Sequence, residues 1–217
     1  MKLLLFGNSE LAKIISIYFE QSGKIVDGYI VDEKFKKKDL FNGKPLYETN
    51  FFLDNFNNEN VELFICIGDL KINKLREEKY NFFKSKGFKF VSLIHKNVNI
   101  GNNVKLGEHL LILEGNNIQH NAQIGDNSFL WSSNHIGHSS IIGKNVFISS
   151  HVTISGCTLI GDNSFIGVGS TFANNIKVGK FNYFSNGCNI TTNTADYQIY
   201  KSSKPILSKV KSNEFFK

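Results

Sequence analysis

The stretch Ile94-His95-Lys96-Asn97-Val98-Asn99-Ile100-Gly101-Asn102-Asn103-Val104-Lys105-Leu106-Gly107 opens a pattern that holds to Ile190. Every sixth residue from Ile94 is apolar: Ile94, Ile100, Leu106, Ile112, Ile118, Ile124, Leu130, Ile136, Ile142, Ile148, Ile154, Ile160, Ile166, Phe172, Val178, Phe184 and Ile190. With 41% hydrophobic residues in the whole chain, chance does not fill such a series without a gap. Glycine follows the apolar slot at 101, 107, 125, 137, 143, 161, 167 and 179. Four places after the slot the residue is small or β-branched, as at Val98, Val104, Ala122, Ser128, Ser140, Val146, Val152, Thr158, Ser164, Ser170 and Cys188. A fixed period of this kind marks a repeat architecture.

A helix repeats its apolar face about every 3.6 residues and a half-buried strand every second one. A period of six fits neither. It suits short straight segments that each send one large aliphatic inward before the chain turns. Three segments per turn build a triangular prism of parallel β-structure in which each coil hydrogen-bonds to the next. The small residue lets the chain round a corner, and Gly and Asn are expected to supply unusual φ and ψ there. The register does not slip, so no long inserted loop is expected.

The residues before the repeat read differently. Lys2–Phe6 forms a buried strand, followed by Gly7-Asn8-Ser9-Glu10 and a helix of about fourteen residues. That helix has Leu11, Ile14, Ile15 and Tyr18 on one face, Ser9 as N-cap and Gly23 as its stop. Further strands are expected at 25–31, 61–67 and 88–93, with a helix from about Lys71 to Lys86 closed by Gly87. Alternating strands and helices imply a small parallel α/β domain of Rossmann-like type. The expected division is 1–93 for this domain, 94–192 for the prism, and 193–217 for a C-terminal loop and tail containing Pro205.

Several function classes are disfavoured. No run of about eighteen apolar residues exists to cross a membrane, and Met1–Phe6 is too short for a signal peptide, so a cytoplasmic protein is expected. Cys66, Cys157 and Cys188 share no metal-ligand spacing and suggest no disulfide framework. The net charge of +6 suits anionic small molecules as well as simple solubility. Basic residues are sparse in the repeat, so nucleic acid is not expected as a partner.

Candidate chemistry falls in two places. A strand, a glycine turn and a helix N-terminus offer free backbone N–H groups to a phosphate. Here Gly7, Asn8 and Ser9 occupy that turn, although one glycine stands where a dinucleotide fold has three. An ordinary capped helix is the competing reading. Asp32 and Glu33, at the end of the second strand, can accept hydrogen bonds from a ribose or base, or form a solvated loop. The second place is the histidine-rich segment Trp131-Ser132-Ser133-Asn134-His135-Ile136-Gly137-His138-Ser139-Ser140. Since Ile136 points inward, His138 is expected on the outer surface, with His120 one coil away on the same face. An outward imidazole on a rigid scaffold is suited to general-base work. A surface histidine without a role is the plain alternative. Convergence of His120, His135, His138 and His151 on zinc, as in a trimeric β-helix carbonic anhydrase, is another.

The whole chain resembles the bacterial sugar acyltransferases of the left-handed β-helix, hexapeptide-repeat superfamily. It is most similar to the branch of nucleotide-amino-sugar N-acetyltransferases and sialic acid O-acetyltransferases, in which a Rossmann-like domain precedes the β-helix. The resemblance implies a homotrimer and acetyl-CoA as co-substrate, with no metal. Its catalytic histidine sits four residues before an Ile-Gly pair, which His138-Ser139-Ser140-Ile141-Ile142-Gly143 matches. Where several members have an acidic residue after the histidine, this chain has Ser139, so Asn134, Ser139 or a neighbouring subunit are the candidates for orienting the imidazole. The resemblance places acetyl-CoA near Phe147, Val168, Asn186 and Gly187. It places the nucleotide of a nucleotide-linked amino sugar, of dideoxy-amino-hexose type, near Gly7, Asn8, Ser9, Asp32 and Glu33. The family's usual Gly-x-Pro-Ala-Lys ending is replaced by Lys204-Pro205-Ile206-Leu207-Ser208-Lys209. The implied activity is N-acetylation of that sugar by direct transfer, with no acyl-enzyme expected on Cys157 or Cys188. Sugar O-acetylation, or a trimeric binding protein without chemistry, are the alternatives.

Overall fold

A computed structural model describes residues 1–204 and 206–212; Pro205 and the end of the expected tail, 213–217, lie outside the described residues. The first part is a sheet in the order β3-β4-β2-β1-β5-β6. Its elements are β1 (Lys2–Phe6), α1 (Glu10–Gln21), β2 (Val26–Val31), β3 (Leu40–Phe41), β4 (Lys44–Glu48), α2 (Thr49–Asn55), β5 (Val61–Ile65), α3 (Lys74–Ser85) and β6 (Lys89–Phe90). All pairings are parallel except that of β3 with β4. The sequence did not mark β4 and α2, where an apolar period is lacking. The α1 stripe is also turned by about one residue from its expected face. Ala12, Ile15, Ser16 and Phe19 are its buried residues, while Leu11 and Ile14 are only partly covered. The second long helix starts three residues later than expected. Lys71, Ile72 and Asn73 all have left-handed φ, of 52°, 50° and 65°, so helical geometry begins only at Lys74.

The remainder is the expected prism. Two-residue strands stack at an interval of eighteen residues into three parallel sheets. One face carries Phe129, Phe147, Phe165 and Tyr183 outward and is called the aromatic face. A second, the polar face, carries Asn117, His135, Thr153 and Thr171. The third carries Gln123, Ile141 and Leu159. The inward residues from Ile112 to Ile190 are buried and form one continuous column. Burying each aliphatic contributes about 1.5–3 kcal/mol. The stacking extends past Ile190, because Ile199–Tyr200 adds a further strand to the aromatic face and Tyr200 stacks on Phe184 with ring centroids 5.0 Å apart.

Glycine has two roles at the corners: Gly115, Gly169 and Gly187 take the left-handed φ expected there, at 72°, 68° and 69°. The glycines after the inward slots have no left-handed φ. They are needed for close approach: a Cβ on Gly125 would stand 2.7 Å from the backbone of Gly143 in the next coil. The left-handed residue comes two places later, as at Asn121, Asn127, Ser139, Asn145, Cys157 and Asn163. Asparagine tolerates that conformation better than most residues.

One corner of the prism is joined to the first domain by a directed hydrogen-bond chain. The Ile65 amide donates to His109 Nε2 at 2.8 Å, so Nδ1 carries the proton and donates to Asn127 Oδ1 at 2.7 Å. Asn127 donates to Asn145, Asn145 to Asn163, and both Asn145 and Asn163 donate to the Glu77 carboxylate of α3. Beside this ladder the Arg76 guanidinium is fully buried. It donates to the carbonyls of Gly68 (2.7 Å), Asn127 (3.2 Å) and Asn145 (2.9 Å) and lies 4.2 Å over the Phe129 ring. Burial lowers its pKa to about 9, against the opposing charges of Asp69 and Glu77.

Two predictions follow from this junction. Arg76→Ala strands the buried carbonyls of Asn127 and Asn145, each costing roughly 1–3 kcal/mol, and the half-buried one of Gly68. In urea, fluorescence of the single Trp131, which lies between the domains, is expected to report separation before circular dichroism reports loss of the β-helix. Coincident transitions at the wild-type midpoint would contradict the proposed coupling. The second concerns acid. Burial first, and then the Arg76 charge, push His109 down to about 3, against the opposing Asn127 hydrogen bond. The unfolded chain therefore binds a proton, near pH 6.5, that the folded chain refuses until about pH 3. Stability is expected to fall as pH drops through this window, by up to about 1.4 kcal/mol per unit from this group. Urea midpoints measured from pH 7 to pH 4 test it, and a flat profile would refute it.

Candidate functional site

A cleft of about 760 Å³ opens where the carboxyl ends of β1, β2 and β5 meet the prism. This is where open parallel sheets bind ligands. Gly7, Asn8, Ser9 and Asp32 line it together, as the sequence suggested. Gly7 has φ 127°, and a Cβ there would lie 3.0 Å from the Cys66 carbonyl, so the turn requires glycine. Ser9 is the α1 N-cap but its side chain makes no capping bond, leaving the first-turn N–H groups without a side-chain acceptor. Asn8 donates to the Phe35 carbonyl at 3.3 Å. Asp32 is held by Lys79 at 2.5 Å and by Thr49. Glu33 does not line the cleft; its carboxylate accepts from the Asn50 amide at the start of α2, at 3.0 Å. It serves here as a local cap.

Three residues from the β5–α3 loop and the prism carry the cleft further. Asp69, Trp131 and Phe147 line it and also line a second cavity of about 260 Å³ with Ser149, Ser150, Phe165 and Val168. Phe147 and Val168 thus share a cavity wall, although Phe147 is largely buried by the first domain and contacts Phe165 by stacking. Asn186 and Gly187 lie outside that wall, one coil beyond Val168 on the same corner. Asn186 Oδ1 accepts from the Val168 amide at 3.1 Å, and the Gly187 amide donates to the Val168 carbonyl at 2.8 Å.

His138 lies elsewhere. It is exposed on the corner between the polar face and the third face, whereas the cleft opens on the aromatic face. Its amide donates to Gln119 Oε1 at 2.9 Å, and its ring lies on the next coil, where a Cβ on Gly156 would fall 2.6 Å from Nε2. His120 folds the other way, its Nδ1 accepting from the Asn102 amide at 2.8 Å. Asn134 does not orient His138. It is buried in the preceding corner, where it donates to the Trp131 carbonyl and accepts from the Val152 amide. The Ser139 amide donates to the His120 carbonyl, and its hydroxyl has no partner on the imidazole. The group facing His138 Nδ1 is the exposed Cys157 thiol, at 4.0 Å. Sequence position obscured this pair, because the two residues occupy different slots of the repeat and meet only through the coil stacking. His135 is on the polar face and His151 on another corner, so the histidines do not converge within one chain. Among the described residues no group of three or more His, Cys, Asp or Glu side chains is placed to hold a metal.

The profile described as "Bacterial transferase hexapeptide (six repeats)" matches residues 121–156. Over those residues the chain carries the hexapeptide repeat that the profile describes. No curated protein sequence matches it significantly. Among solved structures, it is similar to a mutant of perosamine N-acetyltransferase from Caulobacter crescentus, in complex with CoA and GDP-perosamine. The TM-score is 0.84 at 20% identity, covering 93% of this chain and 94% of that one. It is also similar to the acetyltransferase domain of PglB from Neisseria gonorrhoeae FA1090 in complex with acetyl coenzyme A (TM-score 0.80, 21% identity, 94% and 98% covered). WeeI from Acinetobacter baumannii AYE gives 0.78 at 19% identity, with 90% and 94% covered. At these identities the likeness establishes the fold: a small α/β domain followed by a left-handed parallel β-helix. Among the described residues, no helix is long and apolar enough to cross a membrane.

The seat of the His138 ring is directly testable. Gly156→Ala inserts a methyl where the imidazole lies, and the ring must leave the Cys157 thiol. The His138 imidazole resonances are expected to shift in nitrogen-detected NMR while those of His120 stay in place. Unmoved His138 signals would show that the ring does not rest on Gly156.

Proposed function

We propose that the protein is an acetyl-CoA-dependent N-acetyltransferase acting on a nucleotide-linked amino sugar of dideoxy-amino-hexose type, for cell-surface glycan synthesis. The observation that carries this reading is the cleft itself. An uncapped helix N-terminus, Lys34 and Lys71 offer donors and positive charge to a diphosphate, and the cleft shares a wall at Asp69 and Trp131 with the second cavity. The similar structures that hold CoA and GDP-perosamine, or acetyl coenzyme A, support the same substrate classes here.

In this reading His138 is the general base. The sugar amine must present a free lone pair to the thioester carbonyl. The imidazole takes the proton as the N–C bond forms, and returns one to sulfur as the C–S bond breaks and CoA leaves. Backbone N–H groups at coil corners are suited to hold the oxyanion. Within one chain His138 and the cleft open on different corners, so the reading also requires a second copy to bring His138 to the cleft. A cyclic homotrimer, with CoA along the groove between adjacent prisms, meets that requirement three times. Ile141 and Leu159, 40% and 38% exposed beside His138 and Cys157, are apolar surface suited to such packing. Direct transfer remains the proposed route, with Cys157 beside the base as an orienting neighbour.

The test is release of free CoA thiol from acetyl-CoA with a panel of UDP-, dTDP- and GDP-linked 4-amino and 3-amino sugars. Turnover with one amino sugar is expected, reduced about 10²–10⁴-fold in His138→Ala and nearly unchanged in His120→Ala. Full activity in His138→Ala would refute the assignment of the base. Turnover confined to hydroxyl sugars would replace the reading with O-acetylation. Mixing His138→Ala chains with chains whose cleft is blocked at Gly7 should restore part of the activity if the sites are shared between copies.

A further inference from the structure

The cleft holds three carboxylates, of Glu10, Asp32 and Asp69, and two of them are engaged. Glu10 pairs with Lys13 at 2.9 Å, and Asp32 pairs with Lys79 at 2.5 Å. Among the described residues, Asp69 has no ion-pair or side-chain hydrogen-bond partner. The buried Arg76 turns its guanidinium to the carbonyls of Ile67 and Gly68 and to the prism corner, although its charge still feels Asp69. Asp69 is exposed, and together with Trp131 and Phe147 it forms the wall shared by the two cavities. The other groups around the second cavity are aromatic, aliphatic or hydroxyl. Asp69 is thus the one carboxylate on that shared wall, and an unpaired carboxylate can accept a charge-assisted hydrogen bond from an ammonium group.

The loop that presents it is built for position. Ile72, a β-branched residue, holds φ 50° in the middle of three consecutive left-handed residues. The structure holds this conformation from both sides. Arg76 clamps the Gly68 carbonyl, and the Asn73 side chain donates to the carbonyls of Asn163 and Ser164, both at 3.1 Å. Strained backbone held in place by surrounding contacts is commonly found where a group must be placed for a ligand.

We infer that Asp69 is the ammonium-recognition group of the site, receiving the charged amine of the sugar where the two cavities meet. The inference rests on the amino-sugar reading above and names the residue that selects amine over hydroxyl. It also gives the ligand a direction: its anionic diphosphate lies toward the Gly7–Ser9 turn with Lys34, and its cationic sugar lies toward Asp69. Such a charge-assisted bond corresponds to roughly 10–100-fold in affinity.

The experiment is calorimetric titration of the full chain with matched UDP-, dTDP- and GDP-sugars that differ only in an amine or hydroxyl at sugar carbon 4. Nucleoside diphosphate alone serves as a reference, and wild type, Asp69→Asn and Asp69→Glu are compared. Wild type is expected to prefer the amine by at least tenfold. Asp69→Asn should lose that preference and keep its affinity for the nucleoside diphosphate, while Asp69→Glu keeps part of the preference. Retained preference in Asp69→Asn, with wild-type nucleotide binding, overturns the role of Asp69 and leaves the acetyltransferase reading intact. Failure of wild type to bind any of the nucleotide sugars overturns that reading, and this inference with it.

Discussion

The structure depends on the hydrogen-bond chain that leaves the first domain at the Ile65 amide, climbs one corner of the prism and returns to the first domain at Glu77. Each member has a single consistent polarity: a neutral His109 that must donate from Nδ1, three asparagines that each accept from one neighbour and donate to the next, and a carboxylate that closes the series. In a buried setting such chains polarise one another and tolerate no missing link. Arg76 occupies the adjoining space and satisfies backbone carbonyls of both domains with one rigid fork. The two units are therefore fixed by directional bonds as well as by apolar contact.

That rigidity has a consequence for chemistry. A cleft between two domains is only as well defined as their relative position. Here its walls come from the strand ends of one domain and the aromatic face of the other, and the clamp at Arg76 lies directly behind the loop that carries Asp69. The wall and the clamp share residues: Phe147 lines the cleft while lying 6.0 Å from the Arg76 guanidinium. Precise placement of ligand-binding groups on regular elements is what a proposed transferase needs, since misplacement by an ångström is expensive in rate.

The prism was legible because its constraint is periodic. One inward aliphatic every six residues has no other economical solution, and the structure keeps that register from Ile94 to Ile190. The cleft was legible in part. A glycine turn between strand and helix identifies Gly7, Asn8 and Ser9 by local geometry, and Asp32 by its place at a strand end. The same rule, applied after β5, points to Gly68-Asp69, a signal present in the sequence and weaker only because no glycine pattern surrounds it. Glu33 stands beside the cleft on the Asn50 amide, because a carboxylate near a helix N-terminus can be used by that helix, and its sequence position does not say where Asn50 comes to lie. Asn134 is placed elsewhere for a related reason: its spacing to His138 was short in sequence, but a prism corner turned it inward.

By itself, then, the sequence determined the stacked coils, the α/β character of the first ninety or so residues and the outward placement of His138, because each follows from short-range pattern and repeat arithmetic. Only the tertiary structure decided which side chains meet. Contacts eighteen or more residues apart, such as His138 with Cys157, or Arg76 with Asn127 and Asn145, arise from the pitch of the coils and the docking of one domain on another. Neither quantity is encoded in any local window. The same docking made Phe147 part of the domain interface, and gave two separate cavities a common wall at Asp69 and Trp131.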